Sequence, residues 1–144
     1  MVKVTQISVF LENKSGRLAT LAKILADASV NIRALSIADT SDFGILRLIL
    51  NDPDRGFSAL RDAGFAVNRT SVICIKVPDR PGGLAEILKV VETGQFNIEY
   101  MYAFVEKSED NALVILSLNN LDEAIELLQR HGVTVVPAEE VYRI

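Results

Sequence analysis

From Gln6 to Glu12 apolar and polar residues alternate, with Ile7, Val9 and Leu11 on one face and Gln6, Ser8 and Phe10 on the other. That period of two is the signature of a half-buried strand. The period then changes. Leu18, Leu21, Ala22 and Leu25 recur at helical spacing and predict a stripe turned toward the sheet, with Ser15 placed to cap the helix. Asn31-Ile32 opens a second strand, for which alternation predicts Leu35 and Ile37 inward and Ala34, Ser36 and Ala38 outward. Thr40-Ser41-Asp42 is expected to turn the chain into a third strand, Phe43 to Leu50. Asp52 before Pro53 starts a second helix carrying Phe57 and Leu60 and ended by Gly64, and Phe65 to Asn68 begins a fourth strand. Strand, helix, strand, strand, helix, strand is the ferredoxin-like βαββαβ plan, an antiparallel sheet with two helices on one face.

The plan occurs twice. Gly16 answers Gly82, Leu18 answers Leu84, Lys23 answers Lys89, and Asn31-Ile32 answers Asn97-Ile98, all at a separation of 66. Further on, Asn51 answers Asn119 and Gly64 answers Gly132 at a separation of 68, so a two-residue insertion is expected around Glu106 to Asp110. Such a duplication settles the architecture before any detail does. The second set of elements is expected at Val72 to Val77, Leu84 to Val91 with Gly94 as C-cap, Asn97 to Val105, Leu113 to Leu118, Leu121 to Arg130 and Val133 to Ile144. The fold class is therefore α+β, with two ferredoxin-like units, residues 1–70 and 71–144. Only the short polar stretch Asn68 to Ser71 separates them, which predicts rigid coupling rather than a linker.

The chemistry of interest lies where the first strand of each unit hands over to its first helix. Asp79-Arg80-Pro81-Gly82-Gly83-Leu84 places a proline with helical φ and no N–H at the expected first turn, beside two glycines that let backbone approach closely. Asn13-Lys14-Ser15-Gly16-Arg17-Leu18 is its counterpart. Unpaired N–H groups and the positive end of a helix dipole make such a corner a seat for a carboxylate or phosphate, although a Pro-Gly corner also serves simply to turn a chain.

Composition narrows the function. The chain has 144 residues, 49% of them hydrophobic, with no apolar run long enough to span a bilayer and no signal-peptide plan at Met1 to Gln6. One cysteine, Cys74, leaves no internal disulfide, and a reducing cytoplasm is the expected location. A net charge of −4 without a Lys/Arg cluster opposes nucleic-acid binding.

Together these residues resemble the ACT domains. The tandem βαββαβ plan, the corners Asn13 to Leu18 and Asp79 to Leu84, and the strand starts Asn31-Ile32 and Asn97-Ile98 carry the resemblance over the whole chain. It implies a regulatory module that binds a small molecule, most often an amino acid, between the corner of one unit and a strand of its neighbour. By the same resemblance the ligand-binding positions are Asn13, Lys14, Ser15, Gly16, Arg17, Leu18, Asn31 and Ile32 in the first unit, and Asp79, Gly82, Gly83, Leu84, Asn97 and Ile98 in the second. Ser15 stands where the second unit has Pro81, and Asp79 where the first has Asn13, so the two sites are not expected to be equivalent. An amino acid also suits the residues chemically. Corner amides donate to its carboxylate, and the asparagine amide oxygens accept from its ammonium, although asparagines at turns also serve local backbone bonding.

Other readings find less. His131 ends a helix with no metal-spaced partner, Cys74 sits mid-strand without a nearby histidine, and no nucleotide, zinc or redox motif is present, so neither catalysis, cofactor nor metal is expected. Tyr100, Tyr102 and Phe104 form an outward aromatic row that needs cover, from a neighbouring unit or a second chain, and predicts a homodimer; Arg47 is a candidate partner for a carboxylate on the outward face. RNA-recognition domains share this topology, but their sheet aromatics lie on other strands. The expectation is a cytoplasmic, non-catalytic sensor of a small metabolite that acts on an enzyme or regulator in trans. The alternative is an interaction or assembly module with vestigial corners.

Overall fold

The computed structural model describes every residue except Asn13, Thr40 and Ser41, and every other side chain except those of Asp39 and residues 105–108. The elements run β1 (Val4–Glu12), α1 (Arg17–Asp27), β2 (Ile32–Asp39), β3 (Phe43–Leu50), α2 (Pro53–Asp62), β4 (Ala66–Pro78), α3 (Gly83–Thr93), β5 (Ile98–Ser108), β6 (Asn111–Leu118), α4 (Leu121–Arg130), β7 (Val135–Val136) and α5 (Ala138–Tyr142). This is the α+β plan with the βαββαβ order written twice. The fourth strand of the first repeat and the first strand of the second are one continuous strand, β4. The turn expected at Thr40-Ser41-Asp42 lies, apart from Asp42, outside the described residues.

Two compact units result, one of Thr5–Thr70 with Tyr142–Ile144, the other of Ser71–Val141 with Met1–Val4. In the first, β3 lies between β2 and β1 in antiparallel register, Leu48 facing Ile7 on one side and Leu35 on the other. Ile7, Val9 and Leu11 of β1 and Leu46, Leu48 and Leu50 of β3 share the face that packs on Leu21 and Leu25 of α1 and Leu60 of α2. Burying each of these leucines contributes about 1.5–3 kcal/mol. The helical stripe is narrower than expected: Leu21, Ile24 and Leu25 meet the core, whereas Leu18 and Ala22 are exposed. Asp52 caps α2 as its position predicts, accepting from the Arg55 N–H at 3.1 Å. The chain's last residues belong here too, since the Tyr142 carbonyl accepts from Arg33 Nε at 3.0 Å and its hydroxyl accepts from the Thr5 N–H at 2.8 Å.

The second unit orders its strands β5-β6-β4-β7. Ile73, Ile75 and Val77 of β4 and Val114 and Leu116 of β6 pack on Ile87 and Val91 of α3 and Ile125 and Leu128 of α4. Val2 adds to this core, and Lys3 pairs with Asp122 at 2.7 Å. The final strand expected from Val133 to Ile144 is reduced to Val135–Val136, followed by α5. Pro137 ends it, because proline offers no N–H to a ladder, and its carbonyl then accepts from Glu140 and Val141 at 3.0 and 3.1 Å to start the helix.

Two expectations about exposure change. Leu35 and Ile37 do lie on the helix side of their sheet, opposite Leu48 and Leu46, yet they are 45% and 50% exposed, on the edge strand of the sheet. Ala34, expected outward, is buried. In β5 the aromatic row is largely covered: Phe104 is buried, and the half-buried Tyr100 and Tyr102 stack with ring centroids 6.5 Å apart.

Candidate functional site

Both corners adopt the same backbone. Gly16 has φ 86° and ψ −9°, and Gly82 has φ 85° and ψ −8°. The Arg17 N–H donates to the Lys14 carbonyl at 3.3 Å, and the Gly83 N–H to the Arg80 carbonyl at 2.9 Å. A four-residue turn with positive φ at its third residue is the type II pattern, which favours proline at the second position and glycine at the third. Pro81-Gly82 and Ser15-Gly16 occupy those positions. Neither Ser15 nor Pro81 therefore begins the helix; the left-handed glycine itself is the N-cap, with no side-chain cap in either unit.

The two glycines of the second corner serve the chain's own packing. Gly83 is buried, and a Cβ there would run into the Pro78 carbonyl oxygen at the end of β4. Close approach is required, as the sequence implied, but what lies opposite is the protein's own strand. Around Gly16 and Gly82 a Cβ would meet nothing within 4 Å, so those positions open to solvent. Ser15, Gly16 and Leu18 are exposed and Arg17 is half-buried; Asn13 lies outside the described residues.

Charge separates the corners. In the first, Lys14 pairs with Glu12 at 3.0 Å, and that hydrogen bond and charge hold the Glu12 carboxyl below its usual pKa. Arg17 lies over the Phe65 ring at 4.6 Å, and its buried Nε has no hydrogen-bond partner. No acid occupies the first turn of α1. In the second, Glu86 stands in the first turn of α3, and Arg80 grips both its oxygens at 3.1 Å. The Asp79 N–H donates to the Asp110 carbonyl at 3.0 Å, and Asp79 and Leu84 are exposed.

The asparagines sit elsewhere in each unit. Leu11 and Asp39 are both opposite Gly44, whereas Ile32 is opposite Leu50, so Asn31 and the first corner occupy opposite ends of one sheet. Seven residues of strand separate those ends, about 23 Å. Pro78 and Ser108 both pair with Asn111 while Ile98 pairs with Leu118, which parts the second corner from Asn97 in the same way. Neither unit by itself brings its corner and its asparagine together. Each asparagine backbone is clamped by a residue known from sequence only as a mark of the repeat. Asn51 Oδ1 accepts from the Asn31 N–H at 2.8 Å and Asn119 Oδ1 from the Asn97 N–H at 2.7 Å, and the Asn31 and Asn97 carbonyls accept in return at 3.0 and 3.3 Å.

Asn97 and Ile98 border a cavity of about 650 Å³, with Leu88, Val91 and Glu92 of α3 and the following Gln95 and Phe96. One carboxylate and two amides face a wall of aliphatic and aromatic carbon. Glu92, Gln95 and Phe96 were not apparent as site residues in the sequence; the only trace of them is the run that joins the helix to Asn97. Gly94 is the C-cap of α3, as the sequence predicts, with an ordinary φ of −88°, and the left-handed residue is the one after it, Gln95, at φ 58°.

Arg47 is half-buried on the sheet face away from the helices, opposite Ser8 and Ser36. His131 is the C-cap of α4, its Nδ1 3.0 Å from the Leu127 carbonyl. Burial pushes the Cys74 thiol up to about 12, with the Glu140 charge adding to it. A thiol so held does not ionise at neutral pH. Among the described residues no cluster of three or more acidic, histidine or cysteine side chains is arranged for a metal, and no helix is long and apolar enough to cross a membrane.

Residues 2–144 match the family described as the ACT domain pair. Protein BT0572 from Bacteroides thetaiotaomicron is 42% identical and superposes with a TM-score of 0.94, covering 99% of this chain and 98% of that one. The ligand-free regulatory subunit of aspartate kinase from Thermus thermophilus is 15% identical with a TM-score of 0.65, over 90% of this chain and 93% of that one. Its counterpart from Thermus flavus is 13% identical with a TM-score of 0.62, over 92% and 94%. At those identities the likeness is one of fold. No curated protein matches the chain.

Proposed function

The chain belongs to the ACT domain pair family, and from that premise we propose that it is a non-catalytic regulatory protein that binds a small metabolite, an amino acid, and passes its state to an enzyme or regulator in trans. The observation that carries this reading is the cavity beside Asn97 and Ile98, two positions that the family resemblance marks for ligand. Glu92 and the Gln95 and Asn97 amides suit an ammonium, and Leu88, Val91 and Phe96 suit a side chain. In the other unit, the first corner, Lys14 to Leu18 with Asn13, is by itself a candidate seat for a carboxylate, because a helix N-terminus and an Arg17 Nε without a partner lie there with no acid in the turn. The aspartate kinase regulatory subunits of the same fold are consistent with a protein that regulates without catalysing. We place it in the cytoplasm as a homodimer whose arrangement the ligand biases.

A thermal-shift screen of the twenty amino acids tests the reading. A ligand at ~100 times its dissociation constant raises apparent stability by ~2.7 kcal/mol. Asn97→Ala and Glu92→Gln should diminish that shift, and a screen in which no amino acid stabilises the protein overturns it. For the second corner the assembly-module reading has its own support, since Arg80 and Glu86 neutralise each other and Gly83 is backed onto Pro78. Ligand binding that responds to changes at Gly16 but not at Gly82 is the outcome this predicts.

A further inference from the structure

Ile98 borders the cavity on the helix side of its sheet, where plain alternation would not put it. In β5 Met101 packs against the core and Tyr100 takes the opposite face, so an unbroken strand would turn Ile98 the way of Tyr100. The strand is not unbroken. Tyr100 pairs with Ser117 and Ile98 with Leu118, so two steps along β5 match one step along β6, and Glu99 is the extra residue of a bulge. A bulge reverses the phase of the strand beyond it, and Ile98 joins Leu118 against the core.

The ladder beyond the bulge is short, and side chains hold it on both sides of Leu118. Glu99 Oε1 accepts from the hydroxyl of the buried Ser117 at 3.0 Å. Asn119 Oδ1 accepts from the Asn97 N–H at 2.7 Å, and the Asn119 N–H donates to the Asn97 carbonyl at 3.3 Å. The backbone bonding that an asparagine in a turn often supplies with its own side chain is here supplied by Asn119. The first repeat has the same device, a bulge between Ile32 and Ala34 and Asn51 on Asn31, although its bulge residue Arg33 donates to the Tyr142 carbonyl instead. We propose that Asn119 is a positioning residue of the amino-acid cavity. It closes the strand beyond the Glu99 bulge and so holds Asn97 and Ile98 at a cavity wall of which it is not itself a part. The inference rests on the reading of that cavity as the ligand site, and names a residue on which the site depends.

The probe is an equimolar mixture of the twenty amino acids, read by thermal shift. Asn119→Ala should need about tenfold more of the mixture to reach the wild-type shift. Its Asn97 amide should also lose protection from hydrogen exchange in the ligand-free protein. Asn119→Asp keeps an acceptor for that N–H and should restore both. Asp52→Ala removes the α2 cap at a comparable cost in stability, and should need no more of the mixture than the wild type, which separates lost binding from lost stability. A wild-type protein that the mixture does not shift overturns the amino-acid reading and this inference with it. A wild type that shifts overturns the positioning role alone if Asn119→Ala responds equally, or if Asn119→Asp or Asp52→Ala is as impaired as the alanine. Should Asn119→Ala not fold, Asn119→Gln, which carries the same amide one carbon farther out, takes its place with the same outcomes.

Discussion

The two strand-to-helix corners are the same turn with opposite electrostatic outcomes. Their glycines differ by about one degree in φ and ψ, and their carbonyls accept the same bonds. Yet Thr20 of the first corner bonds back to the Gly16 carbonyl at 2.9 Å, whereas its counterpart Glu86 binds Arg80. Arg17, with its unpartnered Nε, stands where the other corner has the buried Gly83. A backbone amide nest attracts an anion only when the protein has not already supplied one. Duplication has kept the geometry of the turn and changed the charges around it: no acid stands in the first turn of α1, whereas Glu86, paired with Arg80, stands in that of α3.

The steepest way to break this comparison is at the positions where the backbones should respond differently. Gly83→Ala forces a Cβ against the Pro78 carbonyl and should cost about 3 kcal/mol in urea unfolding, whereas Gly16→Ala and Gly82→Ala should each cost about 1–2 kcal/mol from left-handed φ alone. Equal costs at all three would mean that α3 can retreat from β4. Exchanging the acids tests the electrostatic claim. Thr20→Glu should weaken binding of the best amino acid from the screen by about 1.5–3 kcal/mol without loss of stability, since an acid in a first helical turn is favourable. Asn13→Ala should weaken it by a similar amount, and Gly16→Val should abolish it. Calorimetry that finds Thr20→Glu and Gly16→Val both at wild-type affinity reduces the first corner to a turn.

A third contrast lies in the strands. Cys74 is buried where the first repeat has the half-buried Ser8. Its thiol is raised to about 12 in the folded state from 9.0, so above pH 9 the unfolded chain binds fewer protons than the folded one and stability falls with rising pH. The slope contributed is about 1.4 kcal/mol per pH unit up to the folded value. Cys74→Ala should remove that slope while Ser8→Ala leaves it, as measured by urea unfolding between pH 9 and 11. The smallest effect is a symmetric one: Asn51→Ala and Asn119→Ala should each cost about 1 kcal/mol, because each removes one acceptor from the N–H that opens the second strand of its repeat.

Much of this was legible along the chain. The Phe43–Leu50 strand, the Asp52 cap and the helix at Pro53 come from strong local signals, and local signals survive folding when no distant element competes. The corners were legible as positions, but their helices begin two residues later than the proline suggested, since Pro81 serves the turn and not the helix. The cavity beside Asn97 was not legible, because Glu92 and Gln95 acquire meaning only when α3 ends beside β5.

The sequence by itself determined the repeat, the α+β class and the family, since these depend on periodicity and spacing, which are properties of a chain relative to its own backbone. Only the tertiary structure decided what covers each face. Alternation pointed Leu35 and Ile37 to the helix side, yet an edge strand leaves them in solvent; Pro137 turned an expected strand into α5. It also decided which cation meets which acid, Lys14 taking Glu12 and Arg80 taking Glu86. Spacing fixes where a side chain starts, but exposure and charge pairing depend on what another part of the chain places beside it.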